Sequence, residues 1–293
     1  MTLRKRTPSR IWEVDFFRGI SILLVIVDHA MYDFARVFTF WQNGPAFLAF
    51  LNELGKLYLS GEVRYFWRPA CLFVFFFTSG LCTAFSRNNA LRGLRLAIVA
   101  AGISVVTYYA DILLGTSVYA MFGVLHCLAT IILIYALFDF LVRSGFVIAE
   151  KIRKKPVSEN VKRWTKVALC LALGVIFAVI HSLYNVPLTV VTSSNQQVIE
   201  TESKILGLFF YCDNWFTADY FPLFPFISFF FFGAAFSRIF YNKKRTLLPA
   251  LDSSWHYVCT LPGRYSIFFY LGGQIAVILI GGLISLAVFG RFM

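Results

Sequence analysis

Charge is scarce in this sequence: only 14% of its 293 residues are Asp, Glu, Lys or Arg. Soluble domains carry about 25%, so an ordinary solvated surface is excluded. The six cysteines are scattered, with Cys71, Cys82, Cys127 and Cys170 inside apolar stretches. None has the paired spacing of a zinc site or a disulfide framework, and the redox compartment cannot be read from them. A Walker loop, a dinucleotide fingerprint and an HExxH pair are all missing, which leaves nucleotide hydrolysis and zinc-dependent hydrolysis without support. No fixed-period repeat is visible, and this argues against a transporter built from inverted halves. Histidine occurs four times, so each one has to be accounted for.

What is abundant is apolar. Hydrophobic residues make up 59% of the chain, 34 of them Phe, and the mean hydropathy is +0.71. Only a bilayer accommodates that much apolar surface. The net charge of +12 is not gathered into a patch with interleaved aromatics, so nucleic acid is not expected as a partner; the basic residues flank apolar spans instead. The expectation is one all-α membrane domain over 1–293 with about seven transmembrane helices. The spans fall near 17–38, 66–86, 92–111, 119–142, 164–184, 219–241 and 265–289, with Ile205 to Phe216 interfacial. The first span holds Asp28 and His29 and lacks a small-residue cleavage site, so it reads as a retained helix and not a signal peptide.

The Lys and Arg bias sets the orientation. Arg4, Lys5, Arg6, Arg10 and Arg18 open the chain, within or just after a basic segment 1–12. Arg87, Arg92 and Arg95 join spans two and three. Lys151, Arg153, Lys154, Lys155, Lys162, Arg163 and Lys166 fill the next loop on that side, and Arg238, Lys243, Lys244, Arg245 and Arg264 the last. The opposite loops, including one at about 185–218, hold chiefly Arg36, Lys56, Arg64, Arg68 and Lys204. A cytoplasmic N-terminus and an outside C-terminus follow, in what reads as a bacterial inner membrane.

Ionisable residues inside a span cost at least a few kcal/mol each and turn towards a cavity or a partner. The first span carries three, Asp28, His29 and Asp33. At about 100° per residue, Arg18 and His29 are nearly in line, and Asp15, Asp33 and Arg36 fall within roughly 40° of His29. The rise from Arg18 to His29 is about 16 Å, which places the imidazole near the middle of a hydrocarbon core roughly 30 Å thick. A neutral imidazole there can accept a proton, and Asp33 at i+4 is placed to hold its tautomer. Asp28, about 100° around the helix, is expected to serve a different partner. The same residues would also serve as interhelical hydrogen bonds that lock a bundle.

The stretch Arg10 to Phe34, RIWEVDFFRGISILLVIVDHAMYDF, resembles the opening of the heparan-alpha-glucosaminide N-acetyltransferase catalytic-domain family and its bacterial relatives. Similar segments follow in order: FWRPACLFVFFFTSG (Phe66 to Gly80), FGVLHCLA (Phe122 to Ala129), DYFPLFPF (Asp219 to Phe226) with Gly233, and GRYSIFFYL (Gly263 to Leu271). The resemblance implies a transmembrane acyltransferase, with acetyl-CoA as cytosolic donor and an amino sugar on the far side as acceptor. It places His29 at a position occupied by His in the bacterial relatives and by Asn in the glycosaminoglycan enzymes. One departure lies in the last span, where the family pattern reads Tyr, two residues, His-Gln-Pro; here Tyr270 is followed by Gly273, Gln274 and Ile275.

Catalytic candidates are therefore His29, Asp33 and His126, the last lying a few residues into the fourth span with Gly123 and Thr130 on neighbouring turns. His126 also reads as a backbone-bonded packing residue, and His181 and His256 read as solvated. Substrate-binding candidates are Asp15, Arg18, Asp28, Arg68, Asp219, Tyr220, Arg264 and Gln274. Arg68 alternatively snorkels to headgroups, Asp219 alternatively favours a helix N-terminus, and Arg264 meets either CoA phosphates or lipid. Partners are the bilayer, acyl-CoA and a sugar or glycan acceptor; homo-oligomerisation has no motif behind it, and no metal is expected. His29 acts as general base or as acyl-accepting nucleophile. A proton-coupled transporter using His29 and Asp33, or a non-catalytic partner of a surface-polysaccharide system, are the other classes compatible with these residues.

Overall fold

The computed structural model describes residues 11–114, 119–184, 205–212, 215 and 219–292. Arg4, Lys5, Arg6, Arg10, Lys204 and most of the expected 185–218 loop lie outside the described residues. Among the described residues there are nine α-helices joined by short 3-10 turns, and no strand. Five helical segments are long and apolar enough to cross a membrane: Glu62–Ala84, Asn89–Leu113, Val124–Arg153, Glu159–Leu183 and Ser266–Phe289; Phe226–Phe240 is a shorter apolar helix. The protein is an all-α membrane protein. The first expected span is present as α1 (Trp12–Tyr32), but Glu13, Asp15, Arg18 and Asp28 along it make it more ionisable than an ordinary apolar span.

The described chain divides into two compact units, Met1–Phe75 with Arg245–Met293, and Phe76–Lys244. In the first unit, α1 is followed by a π-helical turn, Asp33–Val37, in which the Phe38 N–H reaches the Asp33 carbonyl at 2.9 Å. Next comes α2 (Ala46–Ser60), which the apolar windows do not reveal as a separate element. It presents Phe47, Phe50 and Leu57 outward and buries Asn52, whose Nδ2 donates to the Phe34 carbonyl at 2.7 Å. That carbonyl belongs to the π turn, where the regular α ladder is interrupted. Then α3 (Glu62–Leu81) begins in this unit and ends in the other.

The remainder of the first unit is α8 (Tyr257–Arg264) and α9 (Ser266–Phe289). The crossing of α1 and α8 depends on two glycines. A Cβ on Gly19 would overlap the Cys259 carbonyl, and one on Gly263 would overlap the Asp15 carbonyl. Small residues of this kind let membrane helices approach backbone to backbone. The start of α1 is held by its buried Glu13, which accepts from Thr246 Oγ1 at 2.8 Å and from the Leu247 N–H at 2.6 Å. Beyond the π turn, Trp41 stacks on Phe38 and donates from Nε1 to Ser285 Oγ of α9 at 2.8 Å.

In the second unit, α4 (Asn89–Leu114), α5 (Val124–Arg153), α6 (Glu159–Leu183) and α7 (Phe226–Phe240) pack with the end of α3. α7 is apolar over most of its length, with Arg238 in its last turn, and buries Phe226, Phe230, Phe231, Ala234 and Ala235, as expected of a central helix. A second glycine pair, Gly80 and Gly233, brings α3 and α7 together; a Cβ on either would overlap a backbone carbonyl, Phe230 or Phe77. α7 starts at Phe226 and not at 219. Pro222 and Pro225 favour extended or turn backbone before it, and residues 219–225 are a loop. Among its described residues, the expected interfacial stretch contains one 3-10 turn, Leu206–Leu208.

Candidate active site

Two adjacent turns, at the end of α1 and the start of the π segment, carry the polar groups of the first unit. Asp28 faces α2 and α3. Its carboxylate accepts from Arg64 Nε at 2.7 Å and Nη2 at 3.3 Å, lies 3.5 Å from Arg68 Nε, and accepts from the Tyr58 hydroxyl at 2.9 Å. The side chains of Asp28 and Arg64 are only 14% and 10% exposed, so the pair is largely desolvated and each charge depends on the other. Burial, and then the neighbouring Asp28 carboxylate, holds the Tyr58 phenol above its ordinary value, so it remains a donor at neutral pH.

One residue on, His29 turns towards α9. Its ring meets that of Tyr270 edge-on, with centroids 6.0 Å apart. One further turn along, Asp33 is 3% exposed and accepts from Gln274 Nε2 at 3.1 Å. His29 and Asp33 are i and i+4 on one strand of chain, and Tyr270 and Gln274 are i and i+4 on the other. The spacing is what lets one helical face meet another twice. Gln274 Oε1 is buried and makes no hydrogen bond among the described residues. A buried amide oxygen of this kind costs about 1–3 kcal/mol unless something donates to it.

Asp15 and Arg18 are half-buried on α1 beside the Gly19–Gly263 crossing, and Arg264 is exposed at the end of α8. Here the structure adds what the sequence reading missed. Arg64 and Tyr58, neither of them taken as a site residue, are the closest partners of Asp28. The i, i+4 spacing of Arg64 and Arg68 was the available signal for the first; nothing in the periodicity marked Tyr58, because α2 itself was not separated.

His126, Asp219 and Tyr220 belong to the second unit, and there each is bonded to backbone. The Gly123 N–H donates to His126 Nδ1 at 3.3 Å, so Nδ1 is the bare nitrogen and Nε2 carries the proton. Nε2 lies 3.0 Å from Ser104 Oγ, which in turn donates to the Ala120 carbonyl at 2.6 Å. Asp219 Oδ2 accepts from the Val124 N–H at 3.2 Å and occupies the space a Cβ on Gly123 would need. Asp219 thus caps α5 and not its own helix. The Tyr220 hydroxyl donates within a pair of carbonyls, Gly207 at 2.5 Å and Phe210 at 2.6 Å, and its ring stacks on Trp215.

Two histidines depart from expectation. His256, expected to be solvated, is 1% exposed; it stacks on Trp12 with centroids 4.4 Å apart and pairs with Asp252 at 3.1 Å. His181, at the end of α6, has its Nδ1 buried without a hydrogen bond among the described residues. No group of three or more metal-ligating side chains occurs among the described residues.

An all-α membrane bundle with a half-buried histidine, flanked on one side by a carboxylate held by arginine and on the other by a carboxylate held by an amide, defines a class: polytopic membrane proteins with a polar centre on their first helix. The chain matches the family profile described as heparan-alpha-glucosaminide N-acetyltransferase, catalytic, over residues 10–152 and 161–275, and it belongs to that family. No curated protein and no solved structure matches it. The family's general chemistry is acetyl transfer from acetyl-CoA in a membrane.

Proposed function

We propose that the protein transfers an acetyl group from cytosolic acetyl-CoA to the amine or hydroxyl of a sugar or glycan on the other side of the membrane, with His29 as the reacting histidine. The N-terminus lies on the cytoplasmic side, in line with the basic residues before α1 and in the α5–α6 connection. The observation that carries the reading is the double contact of α1 with α9, His29 on Tyr270 and Asp33 on Gln274, within a chain of an acetyltransferase family.

In the direct route, the acceptor nitrogen or oxygen attacks the thioester carbonyl and His29 takes the acceptor's proton. A C–N or C–O bond forms, the C–S bond breaks, and the CoA thiolate takes the proton back from the imidazolium. In the relayed route, an imidazole nitrogen of His29 attacks the thioester, an N–C bond forms as the C–S bond breaks, and CoA leaves as the thiolate; the acceptor nitrogen or oxygen then attacks the acetyl-imidazole, the N–C bond breaks, and the acceptor's proton passes through the imidazole to the thiolate. Either route develops positive charge on the imidazole, which the Asp33 carboxylate one turn away would stabilise. Asp28, fixed by Arg64 and Tyr58 and with Arg68 close by, would shape the site next to His29. Asp15, Arg18 and the exposed Arg264 are the groups of this unit we assign to the donor, Arg264 towards its phosphates. His126 and Asp219 are assigned to holding the start of α5 in place, and Tyr220 to holding the 207–210 turn.

The test is transfer itself. Purified protein in neutral detergent receives acetyl-CoA labelled in the acetyl group, with and without glucosamine or a short amino-sugar oligomer. CoA release that depends on acceptor and is lost in His29→Ala supports the reading. Neither label on protein or acceptor nor CoA release above a no-protein blank would overturn it.

A further inference from the structure

A second set of ionisable groups lies in the Phe76–Lys244 unit, and the transfer reading does not use it. Asp139, on α5, is 6% exposed. Three cations converge on its carboxylate: Lys166 Nζ of α6 at 2.8 Å, Arg143 Nη2 one turn further along α5 at 2.6 Å, and Arg238 Nη2 of α7 at 3.8 Å. Arg238 also donates to the Tyr135 hydroxyl and to the Ala234 carbonyl. Among the described residues, three positive charges meet one negative charge here, an excess of two. A lock between helices would need one cation for one carboxylate; two extra cations at a helix crossing repel one another unless an anion joins them.

The position of the cluster along the helices indicates which anion. α5 has 30 residues and is about 45 Å long, against a hydrocarbon core of about 30 Å, so its last turns leave the hydrocarbon. Counting from Val124, Asp139 and Arg143 lie about 22 and 28 Å along it, so Asp139 lies a few ångströms inside the edge of the hydrocarbon and Arg143 close to its boundary with the headgroup layer. Trp164 of α6 is exposed, with the Arg163 guanidinium 5.3 Å from its ring centre, a pairing suited to a membrane–water boundary. The side chain of Arg143 is 68% exposed, whereas Lys166 and Arg238 are 15% and 13% exposed. The excess charge therefore opens outward through Arg143. Below Arg143 on the same helix, Leu137, Phe140 and Leu141 are exposed and apolar, a surface for a hydrocarbon chain that continues from the charged end.

We propose that the Asp139, Arg143, Lys166 and Arg238 cluster is a phosphate-binding site, filled by the headgroup of an anionic phospholipid whose acyl chain lies along Leu137 and Phe140. The phosphate accepts hydrogen bonds from Arg143 and Lys166, while Asp139 keeps the three cations together. The proposal does not depend on acyl transfer.

The experiment follows thermal unfolding and native mass spectra of the full chain in dodecyl maltoside, titrated separately with phosphatidylglycerol, phosphatidylcholine of the same chains, inorganic phosphate and CoA. The variants are Arg143→Gln, which leaves Lys166 and Arg238 on Asp139, and Lys56→Gln as a control on an exposed lysine. The expected result is a saturable rise in Tm and a retained lipid adduct with phosphatidylglycerol alone. Loss of one headgroup cation weakens this by about fivefold in Arg143→Gln, at about 1 kcal/mol per cation, and leaves it unchanged in Lys56→Gln. Stabilisation by CoA or inorganic phosphate that is lost in Arg143→Gln, without a response to phosphatidylglycerol, keeps the phosphate site and overturns the lipid as its source. No difference among the four ligands, or an Arg143→Gln response equal to wild type, overturns the site.

Discussion

Gln274 of α9 donates its amide hydrogen to the buried carboxylate of Asp33 at 3.1 Å, one helical turn beyond the place where His29 meets Tyr270. The amide cannot take up a proton at neutral pH, so in the proposed reaction the proton falls to His29. Gln274→Ala removes the donor from Asp33. A hydrogen bond to a charged group is worth about 1.5–3 kcal/mol, so kcat should fall roughly ten- to hundredfold with little change in the KM for acetyl-CoA. Steady-state kinetics of the variant check this.

Asp28 predicts a stability effect. Arg64→Ala strips the bidentate partner from a largely buried carboxylate. Breaking such a pair from one side costs about 3–5 kcal/mol; Arg68 and Tyr58 remain within reach, so the lower end is expected. Asp28→Asn combined with Arg64→Gln should be less destabilised than Arg64→Ala alone. Unfolding in detergent, followed by tryptophan fluorescence, reads both.

The glycine crossings predict an all-or-none pattern. Gly19→Val or Gly263→Val forces a side chain into the facing backbone carbonyl, and neither helix can move without losing the other's contacts. The penalty exceeds about 4 kcal/mol, the range in which single substitutions prevent folding. Gly102→Ala and Gly145→Ala, where a Cβ meets nothing within 4 Å, should fold normally. Size-exclusion profiles after membrane extraction distinguish the two groups.

At the start of α5 the prediction separates packing from chemistry. Asp219→Ala leaves the Val124 N–H without its cap and costs about 1 kcal/mol. His126→Ala removes two hydrogen bonds from the Gly123 and Ser104 region and costs about 1–3 kcal/mol. Both should lower Tm while the folded fraction keeps its turnover. A turnover loss in His126→Ala as large as that in His29→Ala, at equal folded protein, would contradict the assignment.

The membrane class and most of the helices were legible because long apolar runs have one physical outcome in a bilayer. The boundaries that shifted have local causes: Pro222 and Pro225 delay α7 to Phe226, and the Gly123 turn delays α5 to Val124. α2 was hidden because its apolar face is short and interrupted by Asn52 and Lys56, and its placement depends on the π turn at Asp33–Val37. At the site, helical periodicity aligned His29 and Asp33 and separated Asp28 from them, and Asp28 does serve another set of partners. Periodicity cannot name partners on other helices. Tyr58 for Asp28 and the Ser104 contact of His126 required the fold, as did the stacking of His256 on Trp12.

The most direct measurement places the protein in sealed liposomes with amino-sugar oligomer trapped inside and labelled acetyl-CoA added outside. Vesicles are sorted by accessibility of an N-terminal tag, so that those with the N-terminus facing the added donor are read alone. The account predicts labelled oligomer in the lumen, formed only with wild-type protein and absent with His29→Ala that folds and extracts as wild type does. Equal labelling by His29→Ala, or label confined to acceptor on the donor side, would contradict it.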